Sequence, residues 1–121
     1  MRTVRETVPR QADSEVSGSG APVPSGASLV VQSGFYEGLE FALDREWLVL
    51  GRGHSADLVI AEPTLSRVHA AVGYGAEGFF VEDLGSTNET RLNGAKVERQ
   101  ELKDCDVLQI GNLSISVSLP D

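Results

Sequence analysis

Thr90-Arg91-Leu92-Asn93-Gly94-Ala95-Lys96-Val97 reads as two short strands joined by a two-residue turn. Asn and Gly both tolerate positive φ, which a type I′ turn needs at its two central positions, and the twist of that turn matches its flanking strands. The same pattern continues on both sides. Downstream, Val107–Ile110 (VLQI) and Leu113–Leu119 (LSISVSL) are separated by Gly111-Asn112. Upstream lie Ser28–Gln32 (SLVVQ), Leu39–Leu43 (LEFAL), Trp47–Leu50 (WLVL), Leu58–Ile60 (LVI), Val68–Val72 and Gly78–Glu82 (GFFVE). Turn residues punctuate them: Ser33-Gly34, Asp44, Gly73 and Ala76-Glu77. Alternation in LEFAL and ISVSL places apolar side chains on one face of a sheet. No window carries a helical apolar stripe longer than one turn. Strands recurring every ~8–12 residues predict an all-β sandwich or barrel, and residues 28–121 suffice for two packed sheets.

The chain has 121 residues, of which 40% are hydrophobic and 23% charged, an ordinary balance for one globular domain. No apolar run approaches the ~18–20 residues of a membrane helix, and no charged start followed by an apolar stretch marks a signal peptide. The single Cys105 can form neither an internal disulfide nor, alone, a zinc site. A reducing intracellular compartment, the cytoplasm by default, is expected. Net charge is −8 with a pI near 4.7, which argues against nucleic acid as a partner, because binding the phosphate backbone needs a basic surface.

Residues 1–27 contain no Leu, Ile or aromatic residue, and they hold Pro9, Pro22, Pro24 and the run Ser17-Gly18-Ser19-Gly20. Such a segment cannot bury enough apolar surface to offset its ordering entropy, so a disordered tail is predicted there. Its charges cancel: Arg2, Arg5 and Arg10 stand against Glu6, Asp13 and Glu15. The domain proper, residues 28–119, therefore carries the acidity.

Within that acidic domain three inter-strand stretches are rich in hydrogen-bond donors. They are Gly51-Arg52-Gly53-His54, Ser66-Arg67-Val68-His69 and Gly85-Ser86-Thr87-Asn88-Glu89-Thr90. Loops of a sandwich gather at its two ends, so segments distant in sequence can build one site. Two guanidiniums, several hydroxyls, an amide and glycine-freed backbone N–H groups suit an anion with several acceptor oxygens. Ser66 and His69 do not read as nucleophile and base, because no acid is placed to orient the imidazole and no Gly-x-Ser-x-Gly elbow surrounds the serine. The first stretch lacks the Gly-Lys-Ser/Thr ending of a P-loop. His54 and His69 lack ligand-spaced partners, so no metal site is expected. Cys105 is expected to pack as a small hydrophobe and Trp47 to belong to the core.

Gly51-Arg52, Ser66-Arg67-Val68-His69-Ala70, Asp83-Leu84-Gly85-Ser86-Thr87-Asn88 and Leu92-Asn93-Gly94, in that order and spacing, resemble the forkhead-associated (FHA) domain. The resemblance runs from about Leu29 to Val117, and the layout is similar to small bacterial FHA proteins with a phosphorylatable N-terminal tail. It implies an eleven-stranded antiparallel β-sandwich that binds phosphothreonine in protein segments through loops at one end. It implies no enzymatic activity, no cofactor and no membrane, with a Ser/Thr protein kinase upstream. By the resemblance, Arg52, Ser66, Arg67 and Thr87 hold the phosphate and Asn88 bonds the ligand's main chain. Gly51 and His69 support the loops, and Thr64 stands where family members read the third residue after the phosphothreonine. Glu89 departs from the family's usual Asn-Gly. If glycine normally sits there at positive φ, Glu89 carries a strain of ~1–2 kcal/mol and a carboxylate beside the anion site. Thr7 and Thr3 are the tail's only threonines and its candidate phosphorylation sites, which would make the tail a ligand for its own domain. The alternative is a degenerate FHA fold acting as a phospho-independent protein-interaction domain.

Overall fold

Eleven strands and no helix make up residues 22–120, which are the residues that the computed structural model describes. One sheet holds β1 (Ser28–Val31), β2 (Glu40–Ala42), β7 (Thr90–Leu92), β8 (Ala95–Lys96), β10 (Val107–Ile110) and β11 (Leu113–Ser118), in the order β2-β1-β11-β10-β7-β8. The other holds β3 (Trp47–Gly51), β4 (Leu58–Val59), β5 (Ala70–Gly75), β6 (Gly78–Asp83) and β9 (Arg99–Glu101), in the order β4-β3-β5-β6-β9. The alternation that predicted strands also decides which face is inside. Leu29, Val31, Leu108, Ile110, Leu113, Ile115 and Val117 from the first sheet meet Leu48, Leu50, Ala70, Val72, Phe79 and Val81 from the second, all buried. Each buried leucine or isoleucine contributes roughly 1.5–3 kcal/mol, so this layer holds the two sheets together. The hairpin at Asn93-Gly94 has both residues at positive φ, 51° and 90°, and pairs Leu92 with Ala95 as its two-residue turn requires.

Packing reaches past Ser28 toward the N-terminus. Ala27 is buried, its carbonyl accepts the Leu43 N–H at 2.8 Å, and Val23 packs against the core. The rest of the expected tail, with Thr3 and Thr7, lies outside the described residues.

Four expectations need correction. The sandwich is not wholly antiparallel, because β3 and β4 pair in parallel, Leu50 with Leu58 and Gly51 with Val59. After Gly51 the chain folds back to the level of Val49, where the Asp57 N–H donates to the Val49 carbonyl at 2.9 Å and the Asp57 carboxylate accepts the Val49 N–H at 2.8 Å. From there β4 can only run beside β3 in the same direction. The strand expected at Val68–Val72 begins at Ala70 and continues to Gly75, because Ser66 to His69 is tied into a loop. Trp47 is 44% exposed on the outer face of its sheet, beside the Phe80 ring at 6.2 Å. Phe80 covers Gly73, where a Cβ would come within 2.4 Å of the ring, and the Arg99 guanidinium lies 3.8 Å from the ring centroid. Cys105 is exposed, at φ 71° in the turn before β10.

The topology brings five loops to one end. Leu50 at the end of β3 faces Ala70 at the start of β5, which faces Asp83 at the end of β6. On the other sheet Thr90 opens β7 opposite Ile110. The β10–β11 turn and the β1–β2 loop lie at this same end, the Ser114 N–H donating to Ser33 Oγ at 3.1 Å.

Candidate functional site

Arg52 follows Gly51, the last residue of β3, and is fastened twice to the segment before β5. Its backbone N–H donates to the Ser66 carbonyl at 2.9 Å and its Nε–H to the Leu65 carbonyl at 3.0 Å. The Gly53 N–H donates to the Arg67 carbonyl at 3.0 Å. This approach is too close for side chains. A Cβ on Gly51 would stand 2.1 Å from the Arg67 carbonyl oxygen, and one on Gly53 would stand 2.9 Å from Arg67 Cβ. Gly51 is therefore required by proximity, not by an unusual turn at the strand exit.

His69 joins the three loops. It is fully buried, its N–H donates to the Leu50 carbonyl at 2.9 Å, and its own carbonyl accepts the Leu84 N–H at 3.0 Å. The Ser66 N–H donates to Nδ1 at 3.1 Å. The ring proton must then lie on Nε2, which faces the Glu89 carbonyl at 2.8 Å. One neutral imidazole thus ties the β4–β5 loop to the β6–β7 loop. Ser66 Oγ adds a second tie, accepting the Thr87 N–H at 3.0 Å and keeping its own hydrogen free to donate. The Asn88 amide adds a third, donating to the Thr64 carbonyl at 2.8 Å.

The β6–β7 loop is shaped by Asp83. Its carboxylate accepts the N–H groups of Gly85 and Ser86 at 3.0 and 3.1 Å, the Ser86 hydroxyl, and the Thr90 hydroxyl at 2.6 Å. Burial pushes this carboxyl up, but the hydrogen bonds from Ser86, Thr90 and Gly85 outweigh it and hold it below the ordinary value of 3.8. Thr87 and Asn88 are left exposed at the tip. Glu89 follows at φ 67°, the positive value that glycine would adopt freely. Its carboxylate turns to the β7–β8 hairpin, 2.7 Å from Arg91 Nη2 and 3.8 Å from Lys96 Nζ.

The donors therefore converge. Among the described residues the terminal nitrogens of Arg52 and the whole guanidinium of Arg67 have no acceptor, and both side chains are exposed beside the Ser66 hydroxyl and Thr87. Two cations with no ion pair among the described residues, at one end of a chain of net charge −8, form a local anion site. The structure brings together Arg52, Ser66, Arg67, Thr87 and Asn88, with Gly51 and His69 beneath them. Thr64 lies at the flank, already engaged: its hydroxyl bonds the Glu62 carboxylate and accepts the Asn112 N–H at 2.9 Å.

Three residues of this arrangement escaped the sequence reading. Asp83 was readable from its spacing to Ser86, since Asp and Ser three apart commonly close such turns. Glu62 carried no local signal, and Gly111 read only as a turn residue, with nothing to show its contact with Thr64. Glu62 matters through Thr64, and a Cβ on Gly111 would lie 2.7 Å from the Thr64 carbonyl oxygen, a contact across 47 residues of chain.

A family model described as the FHA domain matches residues 48–111. Glycogen accumulation regulator GarA of Mycobacterium tuberculosis is 36% identical over 109 residues, covering 88% of this chain and 67% of the relative. An oxoglutarate dehydrogenase inhibitor of Corynebacterium diphtheriae is 36% identical over 100 residues, covering 82% of this chain and 70% of the relative. Among solved structures, one from a structural and functional analysis of phosphothreonine-dependent FHA domain interactions superposes with a TM-score of 0.73. It has 28% identity and covers 81% of this chain and 99% of its own.

Proposed function

The chain belongs to the FHA-domain family, and from that premise we propose that it is a phosphothreonine-dependent protein-binding module of Ser/Thr-kinase signalling. Arg52 and Arg67 supply the charge for the phosphate, Ser66 and Thr87 the neutral donors, and Asn88 the contact to the ligand's main chain. The observation that carries this reading is the tie between Thr87 N–H and Ser66 Oγ, with Arg52 fastened beside it, because it sets donors from three loops around one point. A planar guanidinium can offer a phosphate two parallel charge-assisted bonds, each worth ~1.5–3 kcal/mol. Relatives named as a regulator and as an inhibitor favour a regulatory binding protein over an enzyme. The partners are phosphothreonine-bearing proteins in a reducing intracellular compartment such as the cytoplasm, together with the kinase that modifies them.

Titration of the full chain with phosphothreonine peptides from an oriented library tests this. Arg52→Ala and Ser66→Ala should each weaken binding by about 10-fold or more. A folded Arg52→Ala variant with unchanged titration curves, or equal affinity for the unphosphorylated peptides, would instead support the phospho-independent alternative. The same site can take a ligand from its own chain. A kinase acting on Thr7 or Thr3 would make the tail a competitor of outside partners.

A further inference from the structure

The segment where the ligand's residues after the phosphothreonine would lie, on the binding reading above, is built around a carboxylate. Glu62 Oε2 accepts the Thr64 N–H at 2.7 Å and the Thr64 hydroxyl as well. Thr64 in turn accepts the Asn88 amide at its carbonyl and the Asn112 N–H at its hydroxyl, so Glu62 stands at a junction of three loops. Gly111 leaves room for this junction, which any side chain there would close. The Thr64 hydrogen bonds favour the ionised form of Glu62. The carboxylate's second oxygen has no partner among the described residues, and Glu62 remains partly exposed. The site's other acids differ in this respect: the Asp83 carboxylate is taken up by the N–H and hydroxyl donors of its own loop. The Glu89 charge is met by Arg91 and Lys96, so it presents little net field to a ligand. Among the described residues neither Arg52 nor Arg67 bonds the Glu62 carboxylate. Along the path from Asn88 to Thr64, Glu62 is thus an uncompensated charge next to the groups that hold the ligand's main chain.

We propose that Glu62 is a specificity-determining residue that favours a basic side chain, and disfavours an acidic one, at the third position after the phosphothreonine. Thr64 occupies that reading position by resemblance but has both functions of its hydroxyl engaged, so it offers a ligand no free donor. The selection is electrostatic and comes from the residue two places before it. Two unit charges ~6–8 Å apart near a protein surface interact by enough to change affinity several-fold, and salt weakens the effect.

Three synthetic phosphothreonine peptides, identical except for Lys, Ala or Glu at the third position after the phosphothreonine, test this against the full chain at low salt. The Lys peptide should bind roughly fivefold tighter than the Ala peptide, and the Glu peptide correspondingly weaker. Glu62→Gln keeps an acceptor for Thr64 and removes the charge. It should bring the three affinities within about twofold of one another. Raising the salt should narrow the wild-type spread and not that of the variant. A flat wild-type series, a preference for Glu, or a spread that survives in Glu62→Gln overturns the inference. Failure of the binding reading itself looks different. Arg52→Ala would then leave every affinity unchanged, or the unphosphorylated Lys peptide would bind as well as the phosphorylated one.

Discussion

His69 shows how a single residue can carry a site it does not line. Its two ring nitrogens and two backbone groups join β3, the β4–β5 loop and the β6–β7 loop without any exposed surface. Truncation to alanine leaves the Ser66 N–H and the Glu89 carbonyl without their buried partner. We expect His69→Ala to lower stability by about 2–4 kcal/mol in denaturant unfolding and to weaken phosphopeptide binding as the loops separate. Gly51→Ala acts by the opposite route, forcing a methyl against the Arg67 carbonyl. A loss of about 1–3 kcal/mol is expected, with the affinity falling alongside. Glu89 is the residue where two effects oppose each other. Its positive φ costs ~1–2 kcal/mol, whereas its exposed ion pairs with Arg91 and Lys96 return only ~0–1 kcal/mol. Glu89→Gly should therefore raise stability by about 0.5–1 kcal/mol, with phosphopeptide affinity equal or better. A destabilised variant would show that the ion pairs outweigh the strain.

Among the elements, the β6–β7 loop owes its form to one carboxylate, and this makes it sensitive to acid. Asp83 has its pKa depressed in the folded chain, so its ionised hydrogen bonds stabilise the fold above the unfolded value of 3.8 and are lost as pH falls through the lower folded value. Asp83→Asn should be less stable than the parent at pH 7, and thermal melts should show the gap closing below about pH 4. A gap independent of pH would mean the carboxylate's charge contributes nothing. The strands differ in how openly the sequence announces them. Alternation exposes β2 and β11, short apolar runs between turn residues expose β3, β6 and β10, and Asn93-Gly94 announces the β7–β8 hairpin. The strand β9, Arg-Gln-Glu, carries no apolar signal, because it is an exposed edge held by pairing with β6. The direction of β4 was equally silent, since alternation records which face a side chain takes and not which way the strand runs. Trp47 misled for a related reason: the outer face of a sheet can hold an aromatic ring beside another, here Phe80, without entering the core. The phosphate-side residues were legible as donor-rich loops, whereas Glu62 and Gly111 act through contacts that only the folded chain creates.

At the scale of the molecule, the binding loops and the start of β1 lie at opposite ends of the sandwich. β1 runs from Ser28, where Gly26 lies near Pro120, toward the end that holds Ser33 and the binding loops. A phosphorylated tail must therefore travel the length of the sandwich to reach Arg52. The longest strands have six residues, about 20 Å at ~3.3 Å per residue. From Thr7 to the first described residue, Pro22, the chain can span at most about 50 Å, so the reach is sufficient with slack. Tethering gives an effective concentration that can approach the millimolar range, well above a micromolar intrinsic Kd. A phosphate on Thr7 brings a charge of about −1.5 to −2 to a chain already at −8, so only a site with its own cations would hold it. We expect phosphorylation at Thr7 to shift the amide resonances around Arg52, Ser66 and Thr87 independently of protein concentration. It should also weaken an added phosphothreonine peptide by at least 10-fold, and Thr7→Ala should abolish both effects. Resonances that move only as the protein is concentrated would place the phosphate in a neighbouring molecule. Resonances that do not move at all would leave the tail outside the site, because a tethered ligand at millimolar effective concentration cannot bind with micromolar affinity and stay invisible there.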